Sequence, residues 1–116
     1  MVLKRYYAHL DGPEPLGGLE VATPDVRFYL ALPGRTVEGR GRDDLEAYIA
    51  ARGAAAGDRV HHVVASAACG DVEFHYGAVL ERGQPTGALL SAVHTTPDGR
   101  FDRYLTLFQP DVRLLD

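Results

Sequence analysis

Four runs of strand-forming residues follow one another in the second half of the chain, each closed by a turn signal. This succession restricts the fold more than any other feature. The runs are Arg59–Ala68, Val72–Leu80, Thr86–Thr95 and Phe101–Gln109. The breaks are Cys69-Gly70-Asp71, Arg82-Gly83-Gln84-Pro85 and Pro97-Asp98-Gly99-Arg100. An Asp-Gly pair between such runs favours a tight hairpin, because its residues tolerate positive φ. Short connections join antiparallel neighbours, so the runs predict a meander. A sheet of long strands needs something to bury one face against.

The first half supplies that cover. Leu3, Tyr6, Tyr7 and Leu10 stand at i, i+3, i+4 and i+7, one face of a short helix. Asp11-Gly12-Pro13 predicts its end, with glycine at a left-handed cap and proline unable to continue the ladder. A weaker helix is expected from Pro13 to Ala22, with Leu16, Leu19 and Val21 inward. Gly17-Gly18 lowers its intrinsic stability by about 1 kcal/mol per glycine relative to alanine, so packing must hold it. Pro24 ends it. Val26–Leu32 reads as a strand, Pro33-Gly34 as a turn and Thr36–Glu38 as a short returning strand. Arg42–Ala56 is the clearest helix. Asp43 and Glu46 suit a capping box, Leu45, Tyr48 and Ile49 form a buried stripe with Arg52 beside it, and Gly57 is the stop. Pro110–Asp116 reads as a loose tail. Helices first and strands afterwards define an α+β fold. Twist curls the sheet around about three helices and leaves an apolar cavity beneath it.

A chain of 116 residues suits one domain spanning 1–116. Twelve Lys and Arg against 16 Asp and Glu give a net charge of -4, and the basic residues are scattered along the sequence, which argues against a nucleic-acid partner. Met1–Tyr6 has no signal-peptide core and no apolar run reaches membrane-spanning length, so a cytoplasmic protein without a membrane partner is expected. Cys69 is alone, which excludes an internal disulfide. The histidines lack a ligand spacing, so neither metal nor cofactor is expected.

His61 and His62 alternate faces, so at most one ring looks into the cavity. An inward histidine near neutral pKa removes a proton α to a carbonyl, though a satisfied core or rim histidine is an equally good reading. Glu73 and His75 share a strand face, and an inward Glu73 is expected to pair with a histidine or arginine. Tyr6, Tyr48 and Tyr104 are either core aromatics or pocket hydroxyls. Asp11 also suits a helix-end turn.

Several segments carry a resemblance. They are Arg5–Asp11 in the first helix, Thr23–Phe28 entering the first strand, Val37–Arg40, Arg59–Val64, and Asp98–Tyr104 in the last hairpin. In order and spacing, over nearly the whole chain, they resemble the nuclear transport factor 2-like superfamily, in particular its SnoaL-like branch. The resemblance implies a cone-shaped domain, often dimeric through the outer sheet face. The superfamily holds ketosteroid isomerases, polyketide cyclases, dehydratases, epoxide hydrolases and non-catalytic domains, so it implies no single activity.

Tyr6 fits the isomerase tyrosine. No Asp or Glu lies between Asp25 and Glu38, where the isomerase base belongs, and Ser91 stands near the place of the family acid. Steroid-isomerase chemistry is thereby disfavoured. The strand Thr86–Thr95 lacks Asp and Arg, which disfavours epoxide hydrolysis. The dehydratase branch fits better: Asp11 matches its acid and His62 its first histidine. Leu10 replaces its helix tyrosine, and His75 is offset from its second histidine. The resemblance thus implies His62, His75, Tyr6 and Asp11 as catalytic residues, with Tyr48, Glu73, Ser91, Tyr104 and Phe108 about the pocket. The implied reaction is a cofactor-independent isomerisation, cyclisation or dehydration of a small, largely apolar, oxygenated molecule. The alternative is a non-catalytic ligand-binding or dimerising module.

Overall fold

The apolar spacing of the first ten residues builds helix α1, Val2–Leu10, which buries Leu3, Tyr6, Tyr7 and Leu10 as its pattern predicts. The computed structural model describes residues 1–115. The end of α1 differs from expectation. Asp11 stays right-handed at φ -87° and donates its N–H to the Tyr7 carbonyl at 2.9 Å, while Gly12 adopts no positive φ. The left-handed glycine cap is therefore absent.

The expected second α-helix is a 3₁₀ helix over Pro15–Val21. Three residues per turn put Gly18 and Val21 on the inner face and leave Leu16 46% exposed. Gly18 lets this turn pack closely: a Cβ there would crowd Leu10 Cδ1 at 3.0 Å and the Tyr6 ring at 3.2 Å. Strand β1, Ala22–Leu32, starts earlier than predicted and carries Pro24 within an irregularity of register between Ala22 and Arg27. Strand β2 spans Arg35–Arg40 and helix α2 Gly41–Ala56. The Asp43–Glu46 capping box is not formed. Gly41, at φ +81°, turns the chain directly into α2, and Asp44 reaches back to accept the Arg40 N–H at 2.9 Å.

Strands β3 (Arg59–Cys69), β4 (Val72–Glu81), β5 (Gln84–Thr95) and β6 (Phe101–Gln109) follow the predicted runs within about two residues. Glycines at positive φ make their turns, including Gly99 at +80° in the Asp98-Gly99 hairpin. The six strands form one curved, open sheet in the order β2-β1-β6-β5-β4-β3. The β1–β6 pair is parallel and the others are antiparallel. The helices fill the concave side, giving the α+β cone. Leu3, Val26, Leu45, Ile49 and Phe101 are all at most 1% exposed in the core between the layers. Each such side chain contributes about 1.5–3 kcal/mol by leaving water.

Side chains alternate as strand geometry requires. Leu89, Ser91 and Val93 point inward, while Leu90 is exposed and Ala92 and His94 are half-buried on the convex face. A bulge interrupts this in β3, where the register with β4 shifts between Val63 and Ala65. Gly77 permits the bulge: a Cβ there would lie 2.8 Å from Val63 Cα. Of the expected loose tail Pro110–Asp116, Asp116 lies outside the described residues. The rest has no regular structure, and the Leu114 N–H donates to the Tyr76 hydroxyl at 2.6 Å. Among the described residues, no helix is long and apolar enough to cross a membrane.

Candidate functional site

Strand β3, at one edge of the sheet, carries the two adjacent histidines. The ring that enters is His61, with a side chain 9% exposed, whereas His62 is exposed. This corrects the expectation for His62. Strand parity decides the matter, and the sequence gives no parity signal here: Val60 and Val64 are as apolar as Val63 yet lie 37% and 50% exposed.

Helix α1 and its terminal residue fix the His61 ring. Asp11 accepts from the His61 backbone N–H at 2.8 Å through Oδ2, and its Oδ1 lies 2.9 Å from His61 Nδ1. Arg52 of α2 stands 3.5 Å from the same Oδ1. The imidazole stacks on Tyr7, ring centroids 3.9 Å apart and planes within 4°. Burial lowers the His61 pKa from the ordinary value, with the Asp11 carboxylate pulling the other way. The neutral ring then carries its proton on Nδ1, donated to Asp11. Nε2, with no hydrogen-bond partner among the described residues, is left as a base.

His61 lines a cavity of about 870 Å³ between the sheet and α2. Phe28, Val37, Tyr48, Val79, Leu89 and Phe108 make its apolar wall, and Tyr104 and Thr106 also line it. Arg35, Arg59, Glu38 and Glu81 also line it. Behind the wall runs a chain of hydroxyls. Tyr7 Oη lies 2.8 Å from both Tyr104 Oη and Ser91 Oγ, and Ser91 bonds Thr106. Burial pushes the Tyr7 phenol up to about 12 and the Tyr104 phenol well above its usual value, so both remain neutral donors.

The other expected site residues fall in three places. Tyr48, Tyr104 and Phe108 line the cavity, and Ser91 lies behind it in the hydroxyl chain. Asp11 acts on the cavity through His61. Tyr6 does not line it: its ring packs edge-on against Phe101 at 5.2 Å, and its hydroxyl is buried without a partner. Tyr7, not Tyr6, stacks on His61 and joins the hydroxyl chain, because successive helix residues point about 100° apart. Glu73 and His75 also stand apart from the cavity. They pair with one another at 2.9 Å, and Glu73 accepts the N–H groups of Val2 and Leu3 at 2.9 and 3.2 Å. Glu73 thus caps α1. Sequence reasoning missed Tyr7 and Thr106, and it left open which of His61 and His62 faces inward. The signal for Tyr7 was its place on the buried face of the first helix. Among the described residues, no group of three or more His, Cys, Asp or Glu is placed to hold a metal ion.

No family model and no curated protein matches the sequence. Solved structures do match. A protein of the SnoaL-like family from Agrobacterium tumefaciens has a TM-score of 0.75 at 16% identity, covering 93% of this chain and 94% of that one. A SnoaL-like protein of unknown function from Burkholderia thailandensis has a TM-score of 0.73 at 17% identity, covering 92% of each. Yeast UBP3-associated protein BRE5 has a TM-score of 0.76 at 12% identity, covering 94% of this chain and 92% of that one. The chain therefore has the nuclear transport factor 2-like fold. Its form is that of the SnoaL-like proteins.

Proposed function

We propose that this protein is a cofactor-independent proton-transfer enzyme acting on a small, largely apolar, oxygenated molecule, with His61 as the general base. The observation that carries this reading is His61, held through Nδ1 by Asp11 and kept neutral by burial, on the wall of a cavity that Tyr104 and Thr106 also line. The cavity volume falls within the range of small-molecule sites, about 300–1,000 Å³. In the reaction, Nε2 takes a proton from the carbon α to a carbonyl. Tyr104 or Thr106 donates a hydrogen bond to the carbonyl oxygen as negative charge develops on it. Returning the proton to a different carbon isomerises the substrate, and expelling a β-hydroxyl dehydrates it. Asp11 holds the tautomer and stabilises the imidazolium formed.

The test is α-proton exchange of small cyclic ketones and hydroxyketones in deuterated water, followed by NMR, on molecules first selected by thermal shift. Exchange above the buffer rate is expected, and its loss in His61→Gln. Equal exchange in wild type and His61→Gln sinks the reading. Binding without any exchange supports the rival, a non-catalytic pocket module.

A homodimer is part of the same reading. The convex face exposes Phe74, Leu90, Leu105 and Leu107, each at least 45% accessible. An apolar sheet face of this kind favours self-association through an isologous contact. Sedimentation is expected to give a dimer that Leu105→Asp dissociates. A wild-type monomer at tens of micromolar rules it out.

A further inference from the structure

We propose that Ser66, His75 and Glu73 form a second reactive site, an acyl-transfer centre for small activated esters. It is separate from the cavity described above and independent of the function proposed for it.

The bulge in β3 creates this site. Ahead of it, His61 and Val63 face inward, and strict alternation would next turn Ala65 in and Ser66 out. The extra residue reverses the parity, so Ser66 pairs directly with His75 across the β3–β4 ladder. Bulges re-aim side chains in this way beside active sites. Ser66 Oγ lies 2.8 Å from His75 Nδ1, and His75 Nε2 lies 2.9 Å from Glu73 Oε1. His75 is buried, at 2% exposure, while Ser66 is open to solvent.

The proton positions follow from the partners. Glu73 already accepts the Val2 and Leu3 N–H groups, so its carboxylate accepts the Nε2–H of His75 as well. That tautomer leaves the Nδ1 lone pair to accept the Ser66 hydroxyl proton. Nucleophile, base and orienting carboxylate thus stand in the relation that activates a serine. Capping α1 accounts for Glu73 alone, and it requires no serine on the far side of the histidine.

In the reaction, Ser66 Oγ attacks the ester carbonyl as its proton passes to His75 Nδ1. The ester C–O bond then breaks, and the departing alcohol takes that proton. Water, deprotonated by the same nitrogen, releases the acid and restores the serine. Ser66 stands open to solvent, so water meets the developing oxyanion and the reaction leans on its leaving group. The substrates are therefore esters with good leaving groups, such as aryl esters.

The test uses the full chain with a fluorophosphonate probe and p-nitrophenyl acetate, mapping adducts by mass spectrometry. An adduct at Ser66 is expected, absent in Ser66→Ala and formed about a hundredfold more slowly in His75→Gln. Where His75→Gln does not fold, Ser66→Cys carries the test. Its new thiol is expected to alkylate with iodoacetamide faster than the exposed Cys69 of the same chain. No adduct at Ser66, labelling indifferent to His75→Gln, or a thiol no faster than Cys69 overturns the proposal.

Discussion

The imidazole of His61 lies flat against the phenol ring of Tyr7, centroids 3.9 Å apart. The stack joins β3 to α1 at the cavity wall. With the two bonds to Asp11, it leaves the histidine one orientation and one exposed nitrogen. Such ring pairs contribute about 0.5–1.5 kcal/mol beyond their buried area, so the arrangement is rigid before any substrate arrives.

The adjacent histidines separate function from composition. His61→Gln is expected to remove at least about a hundredfold of any proton-transfer activity, the usual worth of a general base. His62→Gln, one residue away and exposed, leaves it unchanged. Rates measured on both variants, with matched circular dichroism, decide the point.

The pH dependence follows from the lowered pKa of His61, which burial sets against the pull of Asp11. The unfolded chain takes up this proton at about pH 6.5, before the folded chain does. The stabilising contribution is therefore complete above that pH and drains as the pH falls through the folded value. Between pH 8 and 5 the wild-type thermal midpoint is expected to fall more steeply than that of His61→Gln. Activity, which needs the neutral ring, persists below about pH 6.5. Parallel melting curves would show that the ring is not buried in its neutral form.

Tyr6 and Tyr7 differ in what their hydroxyls do. The Tyr6 hydroxyl is buried without a partner, so Tyr6→Phe is expected to be neutral or to stabilise by up to about 1–2 kcal/mol. Tyr7→Phe strips a partner from Ser91 and Tyr104 and is expected to destabilise by about 1–2 kcal/mol. Urea unfolding of the two variants measures the contrast.

Glu73 ties the N-terminus of α1 to the sheet. Glu73→Ala leaves the Val2 and Leu3 N–H groups and His75 Nε2 unpaired, and a loss of about 3 kcal/mol or more is expected. Burial pushes the carboxyl pKa up, but the Val2 N–H, His75 and the Leu3 N–H together outweigh it and the net shift is downward. Its contribution is present above the ordinary value of 4.5 and is lost as the pH falls through the folded value. Glu73→Gln is thus expected to flatten acid unfolding below that pH, as read by far-ultraviolet circular dichroism.

The sequence by itself determined the order of elements, the four-strand meander, the buried face of α1 and the stripe Leu45–Ile49 on α2. These are set by local periodicity and turn chemistry, which act within a few residues. Tertiary structure alone decided which histidine enters the cavity. Both faces of β3 carry valine, so parity gave no signal, and the bond to Asp11, fifty positions away, is a long-range choice. It likewise decided that Tyr7 rather than Tyr6 joins the hydroxyl chain, that a bulge opposite Gly77 turns Ser66 toward His75, and that Glu73 serves α1. Each of these depends on how the sheet curves against the helices, and the relative placement of distant segments is not written in the spacing of neighbours.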